Sequence, residues 1–427
     1  MEIIDGIPVW GTEIDQAALK QIKTCYYIFG QAAMMADHHK GYGVPIGGVI
    51  AHENLVSPSG VGYDIGCGNK AVLTDADPRD VRRNIATIMD DVWNAISFGV
   101  GRKNASPVEH ELFDDGNDPA WSITQGANSA IWRLTSLRDL ARAQLGTVGS
   151  GNHYVDIFSD EQDRIWIGVH FGSRGFGHKI ATRFLNRAGA KDDMDSAPVA
   201  LDARGNEGQD YIAAMKLAGR YAYAGRDWVC ARVTKILGAK VLDEVHNHHN
   251  FAWYEEHGGK MLWVVRKGAT PAFPGQRGFV GGSMGEISVI IEGVQNDTAL
   301  QSLYSTVHGA GRVMGRMEAK GKVDRKTGEV RRAPKVTPEM MHDWVRRENV
   351  ELRGAGVDES PHCYKRLPEV LDEHVPRDIG ERLMEVGDSS LEVGKFGCPI
   401  TPADKEGARI PEHVVHVTDQ LMRRSNL

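Results

Sequence analysis

No stretch of the 427 residues approaches the roughly 20 consecutive apolar residues that a membrane-crossing helix needs. The opening segment, MEIIDGIPVW, has neither the basic n-region nor the apolar h-region of a secretory signal. Disulfide chemistry is equally short of material. Cys25, Cys67, Cys230, Cys363 and Cys398 form an odd, scattered set, a poor disulfide framework that fits a reducing cytosol. The expected location is therefore cytoplasmic, with no membrane partner. Excess charge is modest: the formal net charge of −7 argues against nonspecific nucleic-acid binding but leaves room for a local basic groove. The candidate groove, Gly315–Lys335 (GRMEAKGKVDRKTGEVRRAPK), is expected to be a solvated surface loop, as charge runs usually are. Fixed-period repeats, low-complexity tracts and linkers are absent. The glycine-rich stretches match neither the P-loop nor the dinucleotide fingerprint.

What is present is a chain long enough for a large core. Short β-rich runs occur at RIWIGVHFG (Arg164–Gly172), KMLWVVRKG (Lys260–Gly268) and EISVIIEGV (Glu286–Val294). Glu207–Lys240 has apolar residues at helical spacing and predicts one long helix or a broken pair, with Gly219 and Gly225 as the break points. Gly41–Gly68 reads as loops and turns. Strands and helices mix without regular βα alternation, so the expected class is α+β. With no boundary visible, residues 1–427 are expected to form one large domain.

Seventeen histidines is a high count, and several share one local setting: small or polar neighbours at the end of an apolar run. They are His153 in GTVGSGNHYVD, His170 in IGVHFGSRGFGH, His246, His248 and His249 in VHNHHNFAWYEEH, and His308 in TVHGAGR. Strand ends are rigid mounts that aim a side chain, and small neighbours leave room for a ligand. GVGYDIGCGN adds Asp64 and Cys67 three residues apart in a glycine-rich loop. Imidazole, carboxylate and thiolate together suit metals of the zinc and manganese class. Taken singly, each histidine also reads as a hydrogen-bonded structural residue, and Cys67 as a small buried hydrophobe. HGAGR can present a ring, backbone N–H groups and a cation to one phosphate, and histidine can be a covalent nucleophile. Asn152, Arg174 and Ser283, with neighbouring backbone N–H groups, suit phosphate oxygens; each segment alone reads more readily as a tight turn.

In order along the chain, MADHHKGYGVPIGG, GVGYDIGCG, GTVGSGNHYVD, GVHFGSRGFGH, EGQDYIAAMKLAGRYA, HNFAWYEEHGGK with WVVRKGAT, GGSMGEIS and STVHGAGRVMGR resemble the RtcB family of RNA-splicing ligases. The resemblance spans about residues 35–316, with a weaker echo at CYKRLPEVLDEH (Cys363–His374) and a divergent C-terminal part over about 337–427. It implies a single domain with a central active-site cleft. It also implies a ligase that uses GTP and two Mn2+ ions to seal 2′,3′-cyclic phosphate or 3′-phosphate RNA ends to 5′-hydroxyl ends; whether an activating helper protein joins as a partner is left open by the sequence. Asp64, Cys67, His153, His170 and His249 would then be the metal ligands. Cys67 would bridge the two ions, with His153 and His170 on one and Asp64 and His249 on the other. His308 would be the nucleophile that carries GMP. Guanylate contacts would fall on Asn152, His153, Tyr154, Val155 and Asp156, on His249 and Asn250, on Gly281, Gly282, Ser283 and Met284, on Ser288, and on His308, Gly309, Ala310 and Gly311. The chain departs from the family pattern in three places: Ala36 replaces a usual proline, Asp156 a usual glutamate, and the ending VVHVTDQLMRRSNL lacks the lysine–glycine pair whose lysine contacts guanine. Two other readings compete: a dinuclear metal-dependent phosphoesterase, and a non-catalytic protein that binds RNA ends.

Overall fold

The computed structural model describes residues 1–114, 120–123, 134–190, 193–324, 327 and 329–374, together with the backbone of two strands at 391–396 and 415–418. It is a mixed α+β structure built on two six-stranded sheets. The first sheet runs in the order Glu2–Ile4, Ile7–Val9, Gln31–His39, Ile46–His52, Lys260–Lys267, Asn250–His257. The second runs Val241–His248, Gly68–Thr74, Ile165–Phe171, Tyr154–Ser159, Val415–Thr418, Glu351–Gly354. Strands Val241–His248 and Asn250–His257 are consecutive in the chain yet lie in different sheets, and His249 is the single residue between them.

The three β-rich runs form strands at Ile165–Phe171, Lys260–Lys267 and Ser288–Gly293. All residues of Gly68–Thr74, Tyr154–Ser159 and Ile165–Phe171 are buried, so these strands lack the in–out alternation of a half-solvated sheet. One side of this sheet packs on the helix Asn206–Ile236 through a cluster that includes Val72, Ile167, Phe171, Val229 and Val233. That helix is continuous for 31 residues. Gly219 and Gly225 do not break it; they thin it. A Cβ at Gly219 would lie 2.7 Å from the Phe251 ring, so the glycine is needed for close approach, and burial on the tightly packed side outweighs its poor helix propensity.

The basic run after Gly315 is also more ordered than a solvated loop. It contains a helical turn, Arg316–Lys320, and antiparallel strands Lys322–Val323 and Val330–Arg332. The turn is held by charge: Arg316 and Lys320 pair with the buried Glu359 and Asp358 at 2.5 and 2.9 Å. The last nine residues, where the lysine–glycine pair is missing, and Cys398 lie outside the described residues.

Candidate active site

Antiparallel pairing explains how distant donor residues meet. In the second sheet, Gly68 lies opposite His248, Asn69 opposite both Asn247 and His170, and His170 opposite Tyr154. The strand preceded by Cys67, the strand preceded by His153, the strand ending around His170 and the strand followed by His249 therefore bring those four residues to one sheet edge. Asp64 joins them from the loop before Cys67. The loop turns sharply at Gly66, whose φ of +69° favours glycine, and its amide bonds the Asn250 carbonyl at 2.8 Å.

The donor atoms form two overlapping groups, Asp64–Cys67–His153 and Cys67–His170–His249, each within 4.8 Å. His153 Nε2 is 2.9 Å from Asp64 Oδ2, and His170 Nε2 is 3.3 Å from His249 Nε2. Cys67 Sγ stands between them, 3.7 Å from His153 Nε2 and 3.3 Å from His170 Nε2. The grouping differs from the expected division. Asp64 goes with His153, and His249 with His170, because His170 and His249 approach from the sheet side while Asp64 and His153 come from loops at its edge. Cys67 keeps its shared position.

Electrostatics favour a cation here. Burial, then the neighbouring histidines, holds the His170 and His249 imidazoles well below their ordinary pKa, as neutral lone-pair donors. Burial would raise the Asp64 carboxyl, but His153 and Arg174 outweigh it and keep the group ionised. Burial and the Asp64 charge push the Cys67 thiol well up, so a thiolate at this point requires positive charge beside it. His249 Nδ1 is buried without a hydrogen-bond partner among the described residues. A soft, oxygen-poor donor set of this kind fits transition-metal dications better than magnesium.

A second constellation joins the first sheet, through Asp37, to a separate two-stranded sheet, through His308. His308 follows the short strand Ser305–Val307, which pairs with Ala269–Pro271. Its ring centroid lies 4.8 Å from that of His249. Asp37, fully buried, places Oδ2 2.5 Å from His308 Nδ1 and accepts the His308 and Gly309 amides at 2.9 and 3.3 Å. Burial would raise the Asp37 carboxyl, but His308 outweighs it and holds the group below its usual range. An ionised carboxylate can only accept, so Nδ1 carries the ring proton and Nε2 is left with its lone pair. The strand Gln31–His39 shifts register between Met34 and His39, and this irregularity turns Asp37 toward His308.

The two constellations share one cavity of about 320 Å3. Asn152, His153, Tyr154, His249, Asn250, Gly281, Gly282, Ser283, Met284, His308, Gly309, Ala310 and Gly311 line it, with Asp64, Cys67 and His170. Gly281 and Gly309 form a backbone bridge, which joins the two glycine segments into one wall. Val155, Asp156 and Ser288 stand back from the cavity. Val155 is on the core side of its strand, Asp156 is buried, and Ser288 Oγ accepts the Gly282 amide at 3.2 Å. Arg174 is likewise outside the lining. Its guanidinium packs over Gly149, with one nitrogen 3.0 Å from His153 Nδ1, so it backs the His153 ring from outside the cavity. His246 and His248 turn away to Arg226, at 2.8 and 3.0 Å. Arg226 also donates to the Gly66 and Phe171 carbonyls, tying the 64–68 loop to the sheet edge.

The sequence alone did not mark Asp37, His39, Arg316, Glu359 or Tyr364 as site residues, although all but Asp37 line the cavity and Asp37 bonds His308. Asp37 and His39 lie within MADHHKG, where only the clustering of polar residues in an apolar strand hinted at them. Arg312 is the cation of HGAGR. It lines the cavity and is held by Glu359 at 3.2 Å and the Tyr364 hydroxyl at 2.7 Å.

Comparison with known proteins points one way. The family model described as tRNA-splicing ligase RtcB matches residues 18–388. The RNA-splicing ligase RtcB of Escherichia coli K12 is 33% identical over 315 residues, covering 69% of this chain and 76% of its own. The tRNA-splicing ligases RtcB of Archaeoglobus fulgidus and Pyrobaculum aerophilum are 32% and 31% identical, covering 84% and 81% of this chain and 86% and 84% of theirs.

Proposed function

The chain belongs to the RtcB family, and from that premise we propose that it is a GTP- and manganese-dependent RNA ligase that works through a histidine–GMP intermediate in RNA splicing or repair. The observation that carries this reading is the Asp37–His308 pair beside a thiolate-sharing donor cluster in one cavity. Asp64, Cys67, His153, His170 and His249 would hold two manganese ions, which supply Lewis-acid polarisation of phosphate and offset charge on the pyrophosphate leaving group. His308 Nε2 attacks the α-phosphorus of GTP and retains GMP as a phosphoramidate, with pyrophosphate leaving. Asp37 keeps the Nδ1 proton in place and stabilises the positive charge that the ring gains. The glycine walls at 281–284 and 309–311 offer backbone N–H groups, and Arg312 a guanidinium, to phosphate oxygens. After a cyclic phosphate is opened, His308 passes GMP to the RNA 3′-phosphate. The 5′-hydroxyl then attacks that activated phosphate, and GMP leaves.

A dinuclear phosphoesterase would use the same donor cluster but would leave the Asp37–His308 pair without a task. A protein that only binds RNA ends would need neither. Incubation with radiolabelled GTP and manganese separates the three. Acid-labile, base-stable label on the protein is expected, and its absence with both ions supplied would refute the ligase reading. GTP is expected over ATP. Labelling with each of the four nucleoside triphosphates tests this, and preferential labelling by ATP would overturn the guanine assignment while leaving His308 its role.

A further inference from the structure

A second cavity, about 200 Å3, abuts the first. Ile46 and Asn250 line both, so the two are separated by a single partition. At that size it is smaller than the roughly 300 Å3 at which pockets for whole small-molecule ligands begin, and it suits one ring system. Two tyrosines, Tyr42 and Tyr63, are part of its lining. Tyr63 is stacked on His178, with centroids 5.1 Å apart and planes at 24°, which fixes its orientation. Tyr42 stands edge-on to Tyr63 at 6.3 Å and 87°, and is 46% exposed. A large ring left in the open at a cavity mouth is an available stacking platform.

The third component is Lys267, which also lines this cavity and is only 6% exposed. Its ammonium donates to the Tyr42 and Ser59 carbonyls at 2.6 and 2.9 Å and has no carboxylate partner among the described residues. A buried cation without counter-charge is costly, and burial brings this amine down to about 7. An anion beside it would relieve that cost and keep the amine charged. Asp193, on the rim, caps the Asp195 amide at 3.1 Å and offers further acceptor capacity. Aromatic faces next to an uncompensated cation, one partition from the reacting centre, are the chemistry of single-stranded nucleic-acid recognition.

Resting on the RNA-ligase reading above, we propose that this cavity receives the base of the RNA nucleotide adjoining the reactive end, stacked on Tyr42, with its phosphodiester set against the Lys267 ammonium. The base could come from the 3′-phosphate strand or from the 5′-hydroxyl strand, and the two sources share this chemistry.

The test uses the full chain with Tyr42→Ala and Tyr42→Phe. Tyr42 holds Lys267 through its backbone carbonyl, so neither substitution removes that bond. Tyr42→Ala should raise the KM for RNA joining about 5- to 150-fold, and Tyr42→Phe should leave it near wild type. Labelling of the protein by GTP, which needs no RNA, should be unchanged in both. The loss in Tyr42→Ala should vanish when one nucleotide of the substrate is made abasic, and the strand in which this happens identifies the source. As a readout of binding alone, RNA strands with 5-iodouridine at the terminal position of either strand should crosslink to the peptide carrying Tyr42 or Tyr63. Normal joining by Tyr42→Ala, or crosslinking confined to other peptides from both strands, would overturn the proposal. A wild-type protein that takes no label from GTP would instead refute the ligase reading, and the crosslinks would still decide this one.

Discussion

The proposed metal half and the proposed nucleophile half of the cavity are built differently. In the metal half, function is spread over five donors. Four sit at neighbouring strand ends of one sheet, where antiparallel register makes their proximity automatic, and the fifth arrives on a glycine-bent loop three residues from Cys67. In the nucleophile half, one ring depends on one carboxylate 271 residues away in the chain, delivered by an irregularity in the other sheet. Distribution gives the metal half one shared atom, Cys67 Sγ, whose loss touches everything. Concentration makes the nucleophile half separable: it can be disabled while the donor cluster stays whole.

The contrast can be broken most sharply at Cys67. Cys67→Ala should abolish every step and empty or distort both donor groups, while thermal melting stays cooperative, because one small buried side chain is replaced by another. Metal content and melting curves decide, and a full metal complement with normal turnover would remove Cys67 from its shared position. His308→Ala should be as severe for GTP labelling and for joining 3′-phosphate ends, yet should still seal a pre-made guanylate-capped 3′ end, since that step needs no new histidine adduct. Loss of this last step along with the others, in a protein that retains its metals, would show that the two halves are not separable.

Asp37→Asn should act within the nucleophile half alone. Labelling should slow on the order of 10²–10⁴-fold, because the ring loses the charge that fixes its tautomer and supports its cation. Its effect on stability has a defined sign. The folded carboxyl is held below its ordinary 3.8, so its contribution is fully present above that value and is lost as pH falls through the folded value. The wild type should therefore exceed Asp37→Asn by about 1.5–3 kcal/mol at neutral pH, and the gap should close below about pH 4. A gap independent of pH, followed by denaturant unfolding, would show that the carboxylate charge is not what stabilises the pair. The smallest effect is expected at Gly219→Ala, where the new methyl meets the Phe251 ring at 2.7 Å, beside His249 and Asn250. It should cost about 1–2 kcal/mol of stability after its gain in helix propensity, with GTP labelling retained. An unchanged melting temperature would show that the ring yields freely.

Read alone, the chain determines its mixed class, its main strands and the chemical character of the site. Apolar runs bounded by glycine are strand signals, and Asp64, Cys67, His153, His170, His249 and His308 stand out because such residues are rare beside small neighbours at strand ends. Those are local properties, carried by a few adjacent residues, and so they survive in one dimension. Three things needed the tertiary structure. The division of donors, Asp64 with His153 and His249 with His170, follows from which loop or strand each residue approaches along. The role of Asp37 depends on a contact across two sheets, and a single buried carboxylate has no local pattern to announce it. The unbroken helix with Gly219 and Gly225 depends on what packs against it: glycine reads as a break when only propensity is counted, and as a close contact once Phe251 occupies the space above it. In each case the deciding term is a distance between residues far apart in sequence, and only the packed chain sets that distance.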